Sequence, residues 1–179
     1  CEAITLQRLY KTAYHVPQLE SILGKIEGGL FADIPAVQLY FYSYQSLSCP
    51  EVESHFHTLK SLLVKHHEVL PAPQIKSIYL TAINYCIQKL NNGIEKYVRL
   101  AFELYQYGLR HSILIENNRL SRFAYKNIST AAIRLKEYDW ANQFIKDYTP
   151  FLEEMYQENY RDFAKAKLLF AQKEYDSCI

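Results

Sequence analysis

Four histidines, His55, His57, His66 and His67, fall in one short stretch, and histidine is the commonest side-chain metal ligand. If that stretch is a helix, His55 and His66 share a face but lie roughly 16 Å apart along it, too far to hold one ion. His55 and His57 point to nearly opposite sides, and His66 and His67 are turned about 100° from one another. His67-Glu68 lacks the second histidine of a zinc-protease motif. The cysteines Cys1, Cys49, Cys86 and Cys178 form no CxxC pair and no zinc-finger spacing with a histidine. No metal site and no cofactor site is therefore expected. For nucleophilic catalysis, Cys49 beside Pro50 is the nearest candidate, with His15 or His111 as a base. It lacks the sharp glycine-flanked turn that such a nucleophile needs, so no catalytic residue is expected either. The paired carboxylates Glu51/Glu53 and Glu153/Glu154 stand where helices should start, and complementing the positive helix end accounts for them. No glycine pattern for a nucleotide phosphate occurs. One basic stretch remains: Arg110, Arg119, Arg122 and Lys126, with Phe123 and Tyr125 between. On a helix Arg119, Arg122 and Lys126 share a face, which is the arrangement that tracks a nucleic-acid backbone and stacks its bases.

The elements that must carry these residues are helices. Long stretches repeat at the helical period of 3.6 and almost nothing alternates. Gly and Pro are scarce, at five and six in 179 residues, which disfavours many-turned β folds. The spacing predicts helices over 3–14, from Pro17 to Glu27, from Pro35 to Leu47, and from about Glu51 to Val69, ending before Pro71 and Pro73. Further helices are predicted over 74–90, 94–111 and 120–136, then one capped by Asp139 and broken or kinked at Pro150, and a last one over 154–173. In the helix at 94–111, Ile94, Val98, Ala101, Tyr105 and Leu109 form one apolar stripe, and Tyr97, Leu100, Leu104 and Tyr107 much of a second. Two stripes mark a helix packed between two neighbours. The 16 tyrosines fit the many half-buried positions of such a stack, where a ring is covered and its hydroxyl reaches water or a carbonyl. Cys86 lies among apolar residues and should act as a small hydrophobe.

Bulk properties narrow the class. The hydrophobic fraction of 49% and charged fraction of 22% are ordinary globular values. The net charge of +1 is not split between the halves, so neither a basic arm nor an acidic tail is present. No run of 18 apolar residues suggests a membrane span. Unpaired thiols fit a reducing compartment, hence a cytoplasmic location. The initial Cys1 suggests a processed or excised piece, or alternatively a lipoprotein anchored there.

Internal repetition points to the architecture. Gln45-Ser46-Leu47, Gln88-Lys89-Leu90, and the turns entered from Leu135-Lys136 and Gln172-Lys173 are spaced by roughly 43, 45 and 37 residues, a range that belongs to helical-hairpin arrays. The sequence Lys136-Glu137-Tyr138-Asp139 returns as Lys173-Glu174-Tyr175-Asp176. Ala132–Ala141 resembles the turn of a tetratricopeptide repeat: Tyr138 and Ala141 match its aromatic and small positions, and Tyr175 and Cys178 match them again, while Lys136 and Lys173 replace the usual turn glycine. Small residues at Ala131, Ala132, Ala141, Ala164 and Ala166 suit close helix crossings. The tail is also similar to repeat regions of large uncharacterised bacterial proteins. The expected fold is all-α: a right-handed superhelical stack (α-solenoid) of about four to five antiparallel helical hairpins, with 1–179 one domain cut from a longer array.

The resemblance implies a non-catalytic scaffold that holds a peptide or partner protein in a concave groove. The groove positions it implies are Phe123, Lys126, Thr130, Tyr160 and Lys167, the lysines for carboxylates and the rings for an apolar anchor. Two alternatives stand beside it. The chain is the scaffold of a larger regulatory or catalytic protein, or it binds nucleic acid through the basic face from Arg119 to Lys126.

Overall fold

The computed structural model describes residues 18–174. The helix expected over 3–14, with Cys1 and His15, lies outside them, as does the repeat of the turn beyond Glu174 with Tyr175, Asp176 and Cys178. The described residues form eight α-helices, one short 3₁₀ turn and a two-stranded hairpin. No helix among them is long and apolar enough to cross a membrane.

The chain divides into two compact units between Gln88 and Lys89. The first holds α1 (Leu19–Glu27), α2 (Pro35–Ser48), α3 (Glu53–His66) and most of α4 (Ala72–Asn91). Pro35 starts α2 at its first position, where the missing N–H costs nothing, and Glu53 stands in the first turn of α3. α2 and α3 pack closely, and their core includes Leu39, Phe56, Leu59 and Leu63, none exposed to solvent. Tyr85 from α4 stacks on Phe56 at 4.6 Å and donates its hydroxyl to the Pro50 carbonyl at 2.9 Å, so the hydroxyl finds a carbonyl as expected, but the residue is fully buried and not half-covered. Cys86 is fully buried in α4. That helix begins at Ala72, two residues earlier than the sequence reading placed it. Pro73 sits inside its first turn, and the Pro71 carbonyl accepts from the amides of Gln74 and Ile75. Proline excludes itself only from later turns, where its ring meets the carbonyl four residues back.

The second unit holds α5 (Lys96–Arg110), the strands β1 (Ile115–Glu116) and β2 (Arg119–Leu120), α6 (Arg122–Arg134), α7 (Tyr138–Tyr148), the 3₁₀ turn Thr149–Phe151 and α8 (Glu154–Gln172). The hairpin is a correction to the helical reading. Asn117 and Asn118 carry φ of 50° and 58°, the left-handed pair that closes a two-residue hairpin, and Ile115 pairs with Leu120. The next helix therefore starts at Arg122 instead of Leu120. Likewise Glu137, not Asp139, is the N-cap of α7, and Asp139 lies in its first turn. In α5 Tyr97, Val98, Ala101, Leu104, Tyr105 and Leu109 are buried, whereas Leu100 and Tyr107 of the second stripe are half-buried and Ile94 precedes the helix. Ala132, Ala141 and Ala164 are buried at helix contacts, whereas Ala166 faces outward.

Alternate helices of this unit run parallel. On α5 and α7, Phe102 meets Trp140 edge-on at 4.8 Å and Arg99 pairs with Glu137 at 2.7 Å. Arg134 at the end of α6 pairs with Glu95 at the start of α5. On α6 and α8, Arg122 lies 4.4 Å over the ring of Tyr156 near the helix starts, and Thr130 meets Lys167 further along.

The helix ends repeat one geometry. At Gly29, Gly93, Lys136 and Lys173 the chain turns left-handed, with φ of 94°, 82°, 61° and 65°. At Lys136 its own N–H returns to the Ile133 carbonyl and that of Glu137 to Ala132, both at 3.0 Å. Lys173 and Glu174 return to Phe170 and Leu169 in the same way, at 3.1 and 3.0 Å. This pair of bonds satisfies carbonyls that a helix end leaves open. The two Lys-Glu-Tyr-Asp turns are thus equivalent in backbone as far as Glu174.

Candidate functional site

α6 and α8, parallel and in contact, bring the expected groove residues onto one face. Phe123, Lys126 and Thr130 are spaced by three and then four residues on α6, so they share a side, and Tyr160 and Lys167 do the same on α8. The Nζ of Lys167 donates to Oγ1 of Thr130 at 3.1 Å and stands 5.5 Å from the centre of the Phe163 ring. Lys126, Asn159, Tyr160 and Phe163 line a cavity of about 220 Å³ beside this contact. Tyr160 is half-buried, set edge-to-face at 6.5 Å from the fully buried Tyr125 and at 6.1 Å from Tyr156.

Apolar surface flanks the cations. Phe123 is 64% exposed and Phe163 50% exposed, so two large rings stand open on the face that carries Lys126 and Lys167. No carboxylate among the described residues pairs with either lysine. Burial, and secondarily the charge of Lys126, hold the Lys167 amine below the ordinary lysine value. Two like charges converge, one partly desolvated, with Thr130 fixing its position. The arrangement is chemically complementary to an anion with an apolar neighbour.

Phe163 and Asn159 were not among the residues expected here. Phe163 follows Tyr160 by three positions and so shares its face. It also stands 37 residues after Lys126, the separation of Thr130 and Lys167. Carrying the repeat period across from Lys126 would have found it.

The basic stripe is not continuous. Arg119 lies on β2, outside the helix, with a guanidinium nitrogen 4.0 Å from a Glu153 carboxylate oxygen. Arg122 sets its guanidinium 4.4 Å from the centre of the Tyr156 ring and 5.1 Å from that of Phe123, which stays largely exposed. Arg119 and Lys126 therefore do not share one helical face, because the hairpin ends before α6 begins. Among the described residues no group of three or more His, Cys, Asp and Glu converges as a metal-ligand set.

A second cavity, of about 310 Å³, lies between α5 and α7 on a different set of side chains, among them Leu109, Arg110, Trp140 and Asp147. No family model, curated protein or solved structure matches this chain.

Proposed function

We propose that this chain is a non-catalytic scaffold of the tetratricopeptide type that holds a peptide or partner protein across α6 and α8. Its helical hairpins would stack as a right-handed solenoid within a longer array. The contact between Thr130 and Lys167 carries this reading: a partly buried ammonium, positioned by a hydroxyl and left without a carboxylate, lies beside a second lysine and two open rings. An acidic side chain or a chain-terminal carboxylate of the partner would satisfy the lysines. An apolar side chain next to it would cover Phe123 and Phe163. The equal 37-residue offset of the paired positions on α6 and α8 supports a repeat register. Equivalent positions of successive repeats then face one groove.

The test is a pull-down from lysate with the chain as bait at low and high salt, followed by titration of the recovered protein against the bait. Reversing both charges, with Lys126→Glu and Lys167→Glu, should abolish that binding. Unchanged affinity in the double variant would remove the α6–α8 face as the docking site. Recovery of nucleic acid alone, and only at low salt, would replace the scaffold reading with a phosphate-backbone one.

A further inference from the structure

The cavity between α5 and α7 is distinct from the lysine face, and its lining has a different chemistry. Its floor is a ladder of rings. Trp140 and Phe144 are stacked at 5.3 Å with planes 10° apart, and Phe144 and Tyr148 at 5.0 Å and 22°, while Phe102 braces Trp140 edge-on at 4.8 Å. Rings four residues apart on one helix hold each other in place, and Phe144 is only 2% exposed, so this wall is fixed before any ligand arrives. Leu109 of α5 closes the apolar part.

Two opposite charges line the same cavity without meeting. Arg110 lies on α5 with its guanidinium 5.9 Å over the Tyr107 ring, and no carboxylate among the described residues pairs with it. Asp147 lies on α7, and among the described residues no cation pairs with it. Its two carboxylate oxygens instead accept from Nε2 of Gln143, each at 2.8 Å, which holds the carboxylate in position and leaves its charge uncompensated. Burial, with the Asp147 charge adding to it, raises the Tyr148 hydroxyl above its ordinary value, so it stays a neutral donor at neutral pH.

We propose that this cavity binds a small zwitterion with an aromatic body, of the size and charge pattern of a free aromatic amino acid. The ligand carboxylate pairs with Arg110, its ammonium with Asp147, and its ring lies against the Trp140–Phe144–Tyr148 wall. The volume of about 310 Å³ sits at the small end of ligand pockets, roughly 300 to 1,000 Å³, and is too small for a length of folded peptide. A ligand with only one charge would leave one wall of the cavity unmatched. A ligand with no ring would leave the ladder in contact with water.

The experiment uses the whole chain and L-phenylalanine as the probe. Trp140 is the only tryptophan, so its emission reports on the cavity directly, and calorimetry gives an independent readout. Saturable binding is expected, with a dissociation constant of about 0.1 to 1 mM for a ligand of this size. Phenethylamine and 3-phenylpropionate, each lacking one charge, should bind at least about tenfold more weakly, the usual loss for a charge-assisted hydrogen bond. Arg110→Ala should remove the preference for phenylalanine over phenethylamine, and Asp147→Asn the preference over 3-phenylpropionate. Both residues are exposed, so the folds of the variants should be intact, checked by circular dichroism. Absence of saturation well above the expected range would overturn the proposal. So would equal binding of all three compounds, or binding that neither variant changes.

Discussion

Lys167 donates from Nζ to Oγ1 of Thr130 across 3.1 Å, and the two residues stand 37 positions apart, the same separation as the two Lys-Glu-Tyr-Asp turns. One repeat length therefore connects a contact between helices with a sequence echo at their ends. The amine of Lys167 is held below its ordinary value by burial first and by Lys126 second. Lys126→Ala removes the second cause, so the Lys167 value should rise, as followed by the pH dependence of its side-chain NMR signals. The sign for stability follows from proton counting. Between the lowered folded value and the ordinary one the unfolded chain binds more protons, so stability should climb with pH through that alkaline window. Lys167→Met should flatten the climb, and a slope unchanged by that substitution would assign it to other groups.

Lys136 holds φ of 61° at the end of α6, where a side chain is strained and glycine is not. Lys136→Gly should stabilise the chain by about 0.5–1 kcal/mol, the relief of left-handed strain less the extra freedom of glycine when unfolded. Gly93, at φ of 82°, is the control: Gly93→Ala should destabilise by about 1 kcal/mol. Urea midpoints moving in these opposite directions are the expected result.

Gly108 lies inside α5, where alanine would ordinarily add about 1 kcal/mol of helix stability. Here a Cβ would come 2.9 Å from Cγ and 3.0 Å from Cδ1 of Leu114. Leu114 is itself buried, and its amide is held by the Gly108 carbonyl, so it has little room to move. The clash should win: Gly108→Ala is expected to lower stability by about 1–2 kcal/mol. Leu114→Ala in the same chain should cancel most of that added loss, which a double-mutant cycle measures.

Thr149 donates its hydroxyl to the Ile145 carbonyl at 2.6 Å, so the buried Tyr125 hydroxyl, 2.9 Å away, acts as donor to Thr149. Removing the acceptor should hurt more than removing the donor. Thr149→Val strands the Tyr125 hydroxyl and should cost about 2–3 kcal/mol, while Tyr125→Phe should cost about 1 kcal/mol. Equal losses in thermal unfolding would mean that the tyrosine finds another acceptor.

Helix positions were legible where a residue type permits few conformations. Pro35 and the Asn91-Asn92-Gly93 stop mark boundaries that the structure keeps to within a residue or two. Pro73 misled because a proline reads alike whether it ends a helix or occupies its first turn. The hairpin at 115–120 was missed because each strand has two residues, too few for alternation to register. Its one local cue was Asn117-Asn118, a pair suited to consecutive left-handed residues. On the lysine face, Lys126 and Lys167 follow from the groove register that the tetratricopeptide resemblance implies, and that register does not include Phe163. Spatial neighbours separated by a whole repeat come into view only when the period is laid over the helix faces.

Glu95, the N-cap of α5, and Arg99 in its first turn meet Arg134 and Glu137, negative then positive against positive then negative. All four side chains are about half exposed, so each pair contributes at most about 1 kcal/mol. Their content is order more than energy. Sliding α5 by one turn would set Arg99 against Arg134, cation on cation, while the apolar residues behind them would still find grease to touch. The four charges work as a two-letter address: they reject a misregistered docking that the hydrophobic surface alone would accept.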